Sequence, residues 1–225
     1  TSIKKMHESE TNHDLNSNIY RRLAFDEILS HLIVVSEQRK RIKKIKKNPK
    51  DFEKKFSTKI IESLGFTLTL SQKKVINEIR EDLNSKYRMF RILQGDVGSG
   101  KTIVAVVAGL NVIESGCQSG LMAPTSILAE QHFKTIYELI IKSNLKIKVE
   151  LLTGKTDPKK RKKILEDLKD NKIDFLVGTH SLFQKTISFN KLGLIIIDEQ
   201  HKFGVQQRIK FAKKGGVNCD VLLMS

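Results

Sequence analysis

From residue 66 onward the chain alternates two patterns. Short, nearly continuous apolar runs read "FRILQ" (90–94), "GLMAP" (120–124), "KVELL" (148–152), "DFLVG" (174–178), "LGLIIID" (192–198) and "DVLLM" (220–224). Between them, apolar residues recur at helical spacing, notably over 101–115, 126–143 and 158–170. Apolar runs without polar alternation predict strands buried on both faces. Helices between successive runs predict parallel pairing, with helices covering the sheet. The expected fold is therefore α/β, a mostly parallel sheet between helices. Upstream the pattern changes. Residues 1–18 are polar and have no clear period. "IYRRLAFDEILSHLIVVSEQRKRIKKIKK" then spaces Leu23, Ile28, Leu32 and Val35 three to five residues apart, which predicts one long amphipathic helix. Asn48-Pro49 breaks it. This divides the chain into a helical segment, 1–64, and a sheet domain, 65–225.

Composition adds a partner class. A formal charge of +16 over 225 residues favours a polyanion such as nucleic acid. A Lys- and Ile-rich genome would give the same surplus without any partner. Two basic runs stand out. Arg39, Lys40, Arg41, Lys43, Lys44, Lys46, Lys47 and Lys50 are either a solvated helix end, whose cations suit the helix dipole, or a patch facing phosphates. Lys159, Lys160, Arg161, Lys162 and Lys163 cover every face of a helix, so a solvated surface is the better reading. Cys117 and Cys219 lack metal-site spacing and read as buried free thiols of a reducing compartment. With no leader and no apolar run of ~18 residues, the expectation is a soluble cytoplasmic protein. The chain opens without Met and closes on an apolar run still in a strand, as a piece of a longer protein would.

The chemistry is carried by two stretches. Gly95-Asp96-Val97-Gly98-Ser99-Gly100-Lys101-Thr102 fits G-x-x-x-x-G-K-[ST] at every defined position, after one predicted strand and before one predicted helix. Glycines let such a loop turn its N–H groups inward, and with the helix N-terminus these make an anion cradle. Lys101 adds a point charge for the β- and γ-phosphates, and Thr102 a hydroxyl for Mg²⁺. About a hundred residues on, "LIIIDEQH" ends a buried strand in Asp198 and Glu199. Ligands of parallel sheets bind at that edge. Asp198 would hold Mg²⁺, mostly through water, and Glu199 would orient or deprotonate the attacking water. A P-loop with these carboxylates predicts an ATP hydrolase using Mg²⁺.

The "DEQH" tetrad resembles motif II of superfamily 2 helicases and translocases. Other stretches fall in the order found there. "FTLTLSQ" (66–72) resembles the adenine-reading Q motif, and the amide of Gln72 can donate and accept at an adenine edge. The plainer reading of Gln72 is a helix-surface residue after a Ser71 cap. "APTSILAEQH" (123–132) resembles motif Ia, "LTG" (152–154) motif Ib, and "GTHSL" (178–182) the next DNA-contacting motif. Pro124, Thr125, Thr153, Gly154, Gly178, Thr179 and His180 would then face DNA, on small loops able to approach a sugar–phosphate chain.

"MFRILQGDVGSGKT", "GLMAPTSILAEQHF", "VGTHSLFQ" and "IIIDEQHKFGVQQR" look like the RecG-type ATP-dependent DNA helicases of bacteria. Transcription-repair coupling factors are similar in the P-loop but resemble "DEEH" at motif II. The resemblance covers nearly the whole chain. It implies a RecA-like ATP-binding lobe over 65–225, ending as motif III begins, and the end of a DNA-binding wedge with its helical linker over 1–64. It also implies branched or duplex DNA as partner, a second RecA-like lobe bearing an arginine finger, a monomer and a place in the bacterial cytoplasm. His201 would link the state of the nucleotide to the DNA-facing loops. Two positions depart from the family. Ser126 replaces the usual Glu of "APTE", and Lys202 replaces the Arg that usually follows "DEQH". A lysine cannot reproduce a bidentate guanidinium contact. Two other readings remain: another superfamily 2 motor, on RNA or in restriction or transcription-coupled repair, and a basic nucleotide-binding switch.

Overall fold

In the computed structural model, residues 45–184, 186–199 and 216–225 are described, together with Arg22, Phe25, Asp26 and Leu29. The chain divides into two units, 1–44 and 45–225. In the first, the four described residues are helical, as the apolar spacing predicts. Arg22 bonds Asp26 one turn on at 3.2 Å and lies over the Phe25 ring. The helix does not run to residue 47 as expected. Residues 45–50 are not helical, and Lys46 forms an antiparallel bridge with Tyr87. Backbone bonds from Lys47 N to Lys86 O and from Arg88 N to Ile45 O fix that bridge. The second unit begins at Ile45, and Phe52, Phe56, Ile60, Ile61 and Leu64 pack into its core.

Among the described residues six strands form the sheet: β1 (Phe90–Leu93), β2 (Gln118–Met122), β3 (Val149–Leu152), β4 (Phe175–Gly178), β5 (Leu192–Ile197) and β6 (Asp220–Met224). Their order across the sheet is β1-β6-β5-β2-β4-β3, and every neighbouring pair is parallel. All strands therefore end at the same edge. The helices of this unit are α1 (Lys55–Ser63), α2 (Leu70–Asn84), α3 (Lys101–Glu114), α4 (Ser126–Lys142) and α5 (Pro158–Lys169).

The apolar runs bury alternate residues on opposite faces. Leu194, Ile196, Leu222 and Met224 join a core with α1, α2, α3 and α4, while Ile195, Ile197, Val221 and Leu223 pack on the other face. On that second face α5 buries Ile164 and Leu168 against Leu152 and Leu176. Residues 104–113 of α3 are all buried, so this helix is wrapped on every side. A Cβ on Gly109 would run into the Phe175 ring, so glycine is what lets helix and strand approach here.

Two polar features depart from the sequence reading. Strand β2 starts two residues before the expected 120, because Gln118 and Ser119 are buried with their polar atoms paired. The Gln118 amide donates to Leu168 O (2.9 Å) and Ile173 O (2.7 Å) and accepts from the backbone N–H groups of Asn190 and Lys191. Ser119 Oγ donates to Gly109 O at 3.0 Å. A buried polar group so satisfied no longer costs its desolvation penalty.

The second departure concerns the basic run 39–50. Lys47 and Lys50 are buried, and both ammonium groups donate to Asp220 Oδ2, at 2.7 and 2.5 Å. Asp220 Oδ1 accepts from Met89 N at 2.6 Å, Lys47 also reaches Leu83 O, and Lys50 reaches Asn218 O. Burial pulls the Lys47 pKa below its ordinary value, against the opposing pull of Asp220. These two lysines are neither a solvated helix end nor a phosphate-facing patch. Lys46 is exposed, and the run's members from 39 to 44 lie outside the described residues. The other run meets its expectation: Lys159, Lys160, Lys162 and Lys163 are exposed on α5, behind the Asp157 cap.

Candidate ATP and nucleic-acid site

Strand β1 delivers the chain to the glycine-rich loop 95–100, and α3 begins at Lys101. Gly98 and Gly100 both lie at φ +81°, in the left-handed region that side chains resist. No side chain caps α3. Its N-terminus is thus left for an anion, since first-turn N–H groups have no partner within the helix. Lys101 Nζ donates to two carbonyls of its own loop, Gly95 O (2.5 Å) and Asp96 O (2.8 Å). Those bonds hold the ammonium over the loop. Thr102 follows, half-buried in the first turn.

Gln72 is brought to this loop. Thr69, not Ser71, caps α2, and it does so as a capping box with Gln72. Gln72 N donates to Thr69 Oγ1 (3.2 Å), and Thr69 N donates to Gln72 Oε1 (2.9 Å). The remaining amide N–H reaches across to Ser99 O at 2.9 Å. A Cβ on Gly100 would collide with the Gln72 amide. The glutamine therefore buttresses the glycine-rich loop while its oxygen fixes its own helix.

Asp198 stands at the end of β5, two strand positions from β1 and so roughly 10 Å across the sheet at about 4.8 Å per strand. Its backbone N donates to Met122 O at 2.8 Å. Its Oδ1 accepts from Glu199 N at 2.9 Å, and its Oδ2 lies 2.7 Å from His132 Nε2. Glu199 adopts φ +52°, unusual for a residue with a side chain and a form of strain found at functional turns. His201, expected to couple nucleotide and DNA, lies outside the described residues with Lys202. His132 ends the stretch that resembles motif Ia, and no local signal marks it as a site residue. Its partner is 66 residues away in sequence, and only the pairing of β2 with β5 brings them together.

Among the described residues no three His, Cys, Asp or Glu side chains cluster as a metal cage. Thr102, a hydroxyl, and Asp198, a carboxylate, both lie at this edge of the sheet.

The expected DNA-facing residues fall on three loops. Pro124 and Thr125 follow β2, Thr179 and His180 follow β4, whose last residue is Gly178, buried and paired with Met122 and Leu152, and Thr153 and Gly154 follow β3. Because β2, β4 and β3 are neighbours in that order, the loops form one row. Their side chains are not equivalent. Thr125 is exposed and caps α4 by accepting from Leu128 N at 3.3 Å. Gly154 is exposed, but Thr153 is buried and Thr179 shares a buried hydroxyl contact with Ser181 at 3.2 Å. The two buried threonines shape their turns, and Gly178, expected to face DNA, is instead buried in the sheet, where a Cβ would run into Leu152 O, so Gly154 is the glycine left at the surface.

Residues 69–225 match the family model "DEAD/DEAH box helicase". The chain belongs to the DEAD/DEAH box helicase family, and its sheet unit is a RecA-like α/β lobe of that family. Within the family its likeness is to RecG. It is 46% identical over 204 residues to "ATP-dependent DNA helicase RecG" of Thermotoga maritima, covering 91% of this chain and 26% of that protein. For the Bacillus subtilis protein of the same name the identity is 43% over 228 residues, covering 100% of this chain and 32% of that one. A solved structure described as RecG bound to a three-way DNA junction superposes with a TM-score of 0.78 at 42% identity, covering 91% of this chain and 27% of that one. A DEAD box protein from Methanococcus jannaschii, at 20% identity and TM-score 0.57, shares the fold. The chain spans about a quarter to a third of the length of these RecG relatives.

Proposed function

We propose that this chain is the ATP-binding lobe of a bacterial motor that couples ATP hydrolysis to the remodelling of branched DNA. The observation that carries the reading is the division of one sheet edge. β1 and β5 end in the phosphate loop and Asp198, while β2, β4 and β3 end in a row of loops suited to a sugar–phosphate chain. A nucleotide-binding switch has no use for that row.

In this reading the α3 N-terminus, the loop N–H groups of Gly95, Gly98, Ser99 and Gly100, and the Lys101 ammonium bind the ATP phosphates. Lys101 exchanges its bonds to Gly95 O and Asp96 O for phosphate oxygens. Gln72 braces the loop at Ser99 and turns its amide to the adenine when the base is bound. Thr102 and Asp198 hold Mg²⁺, which supplies charge neutralisation at the β- and γ-phosphates. Glu199 orients the attacking water and takes its proton. His201 relays the nucleotide state to the loops at Thr125, Gly154 and Thr179. The upstream residues 1–64 are read as wedge and linker, with 65–225 as the lobe proper. A second RecA-like lobe of the same protein supplies the arginine finger, worth ~10³–10⁵ in rate. The chain on its own should accordingly bind ATP weakly and turn it over slowly. The assembled protein is read as a cytoplasmic monomer acting on nucleoid DNA.

The test is steady-state ATP turnover by the complete gene product on a three-way DNA junction, linear single-stranded DNA and RNA, with Glu199→Gln as control. Stimulation chiefly by the junction, abolished in the variant, supports the reading. Equal or greater stimulation by single strands or RNA keeps the motor and discards branched DNA as its track.

A further inference from the structure

The sheet edge has a nucleotide half, on β1, β6 and β5, and a nucleic-acid half, on β2, β4 and β3. The seam runs between β5 and β2. One side-chain bond of the described residues crosses it at the site itself, His132 Nε2 to Asp198 Oδ2 at 2.7 Å. His132 belongs to α4, the helix that Thr125 caps. From Thr125 to His132 is two helical turns, about 10.5 Å at ~1.5 Å per residue. The two side chains are only 12% and 13% exposed, so water competes little for the bond. The other carboxylate oxygen is held by Glu199 N at 2.9 Å. The Asp198 carboxylate is thus clamped at both oxygens, once by its own turn and once from the far side of the seam.

We infer that His132 is a positioning residue. Its Nε2–H holds the Asp198 carboxylate in the orientation needed for Mg²⁺–nucleotide, and it ties that orientation to the helix whose cap faces the nucleic-acid row. This rests on the reading of Asp198 as a Mg²⁺ ligand. A hydrogen bond from a neighbouring side chain is what fixes the angle of a metal-binding carboxylate, and losing such a partner typically costs ~10–100-fold in metal affinity. The role depends on which ring nitrogen is used. A glutamine amide places its nitrogen close to the Nε2 position and can make the same bond, whereas an asparagine amide falls near Nδ1 and stops short.

The experiment uses the whole chain and a fluorescent, non-hydrolysable ATP analogue, with Mg²⁺ titrated in. His132→Leu and His132→Asn should raise the Mg²⁺ midpoint by about 10–100-fold, while His132→Gln stays near the native midpoint. Thermal melting without Mg²⁺ and nucleotide checks that each variant is folded, and the Asn–Gln pair carries the test if the leucine variant is not. A native midpoint in the Leu and Asn variants overturns the inference. So does an equal shift in the Gln variant. A native chain whose analogue binding is indifferent to Mg²⁺ overturns the Mg²⁺ reading itself, and the inference with it.

Discussion

The two ends of the strands treat charge in opposite ways. At the C-terminal edge, among the described residues, Lys101 bonds only backbone oxygens of its own loop, and Asp198 keeps partial exposure. At the N-terminal edge Lys47 and Lys50 are buried against Asp220, which is fully shielded and also holds Met89 N. The first arrangement can exchange partners, because carbonyl bonds of an accessible loop cost little to replace with phosphate. The second cannot, since freeing any member would strand a charge in a dry interior. In sequence the lysines look alike. What separates a ligand-binding cation from a structural one is whether its partner is displaceable.

Breaking the sealed cluster should have the largest effect. Asp220→Ala leaves two ammonium groups facing each other without their carboxylate, at a cost of roughly 3–5 kcal/mol. Urea denaturation measures it, and a loss under about 1 kcal/mol, the worth of a surface pair, would show the cluster to be solvated after all. The reverse pattern is expected at the other edge. Lys101→Ala should leave the denaturation midpoint near native but remove a charge-assisted phosphate contact worth about 1.5–3 kcal/mol of nucleotide binding. Calorimetric titration with ATP reads this, and unchanged affinity would remove Lys101 from the site.

A smaller effect sharpens the comparison through pH. Burial pushes the Cys219 thiol, next to Asp220, from an ordinary 9.0 up to about 12. Its folded pKa is raised, so its stabilising contribution is complete below pH 9 and is lost as pH climbs toward 12. Unfolding measured at several pH values should show the native chain losing up to about 1.4 kcal/mol per pH unit relative to Cys219→Ala in that window. Parallel curves would mean that water reaches the thiol.

Much of this molecule could be read without coordinates. The parallel α/β sheet follows from apolar runs spaced by helices, because strands buried on both faces cannot alternate. The glycine-rich loop 95–100 and the Asp198–Glu199 turn lie where the sequence puts them, after β1 and β5, because strand–loop–helix context is local. The relatives then agree with the family suggested by those motifs.

Tertiary structure alone decided the rest. Nothing near Gln118 announces a strand, since its amide is satisfied by carbonyls about 50 residues away. Nothing near Lys47 announces burial, since Asp220 lies 173 residues on. Thr69 rather than Ser71 caps α2 because Gln72 can complete the box while reaching Ser99. His132 becomes part of the site only because β2 lies beside β5. Local sequence sets the conformations and the motifs, because backbone preference and apolar period act over a few residues. Which polar groups end up sharing a hydrogen bond depends on strand order, and that is fixed only when the whole sheet assembles.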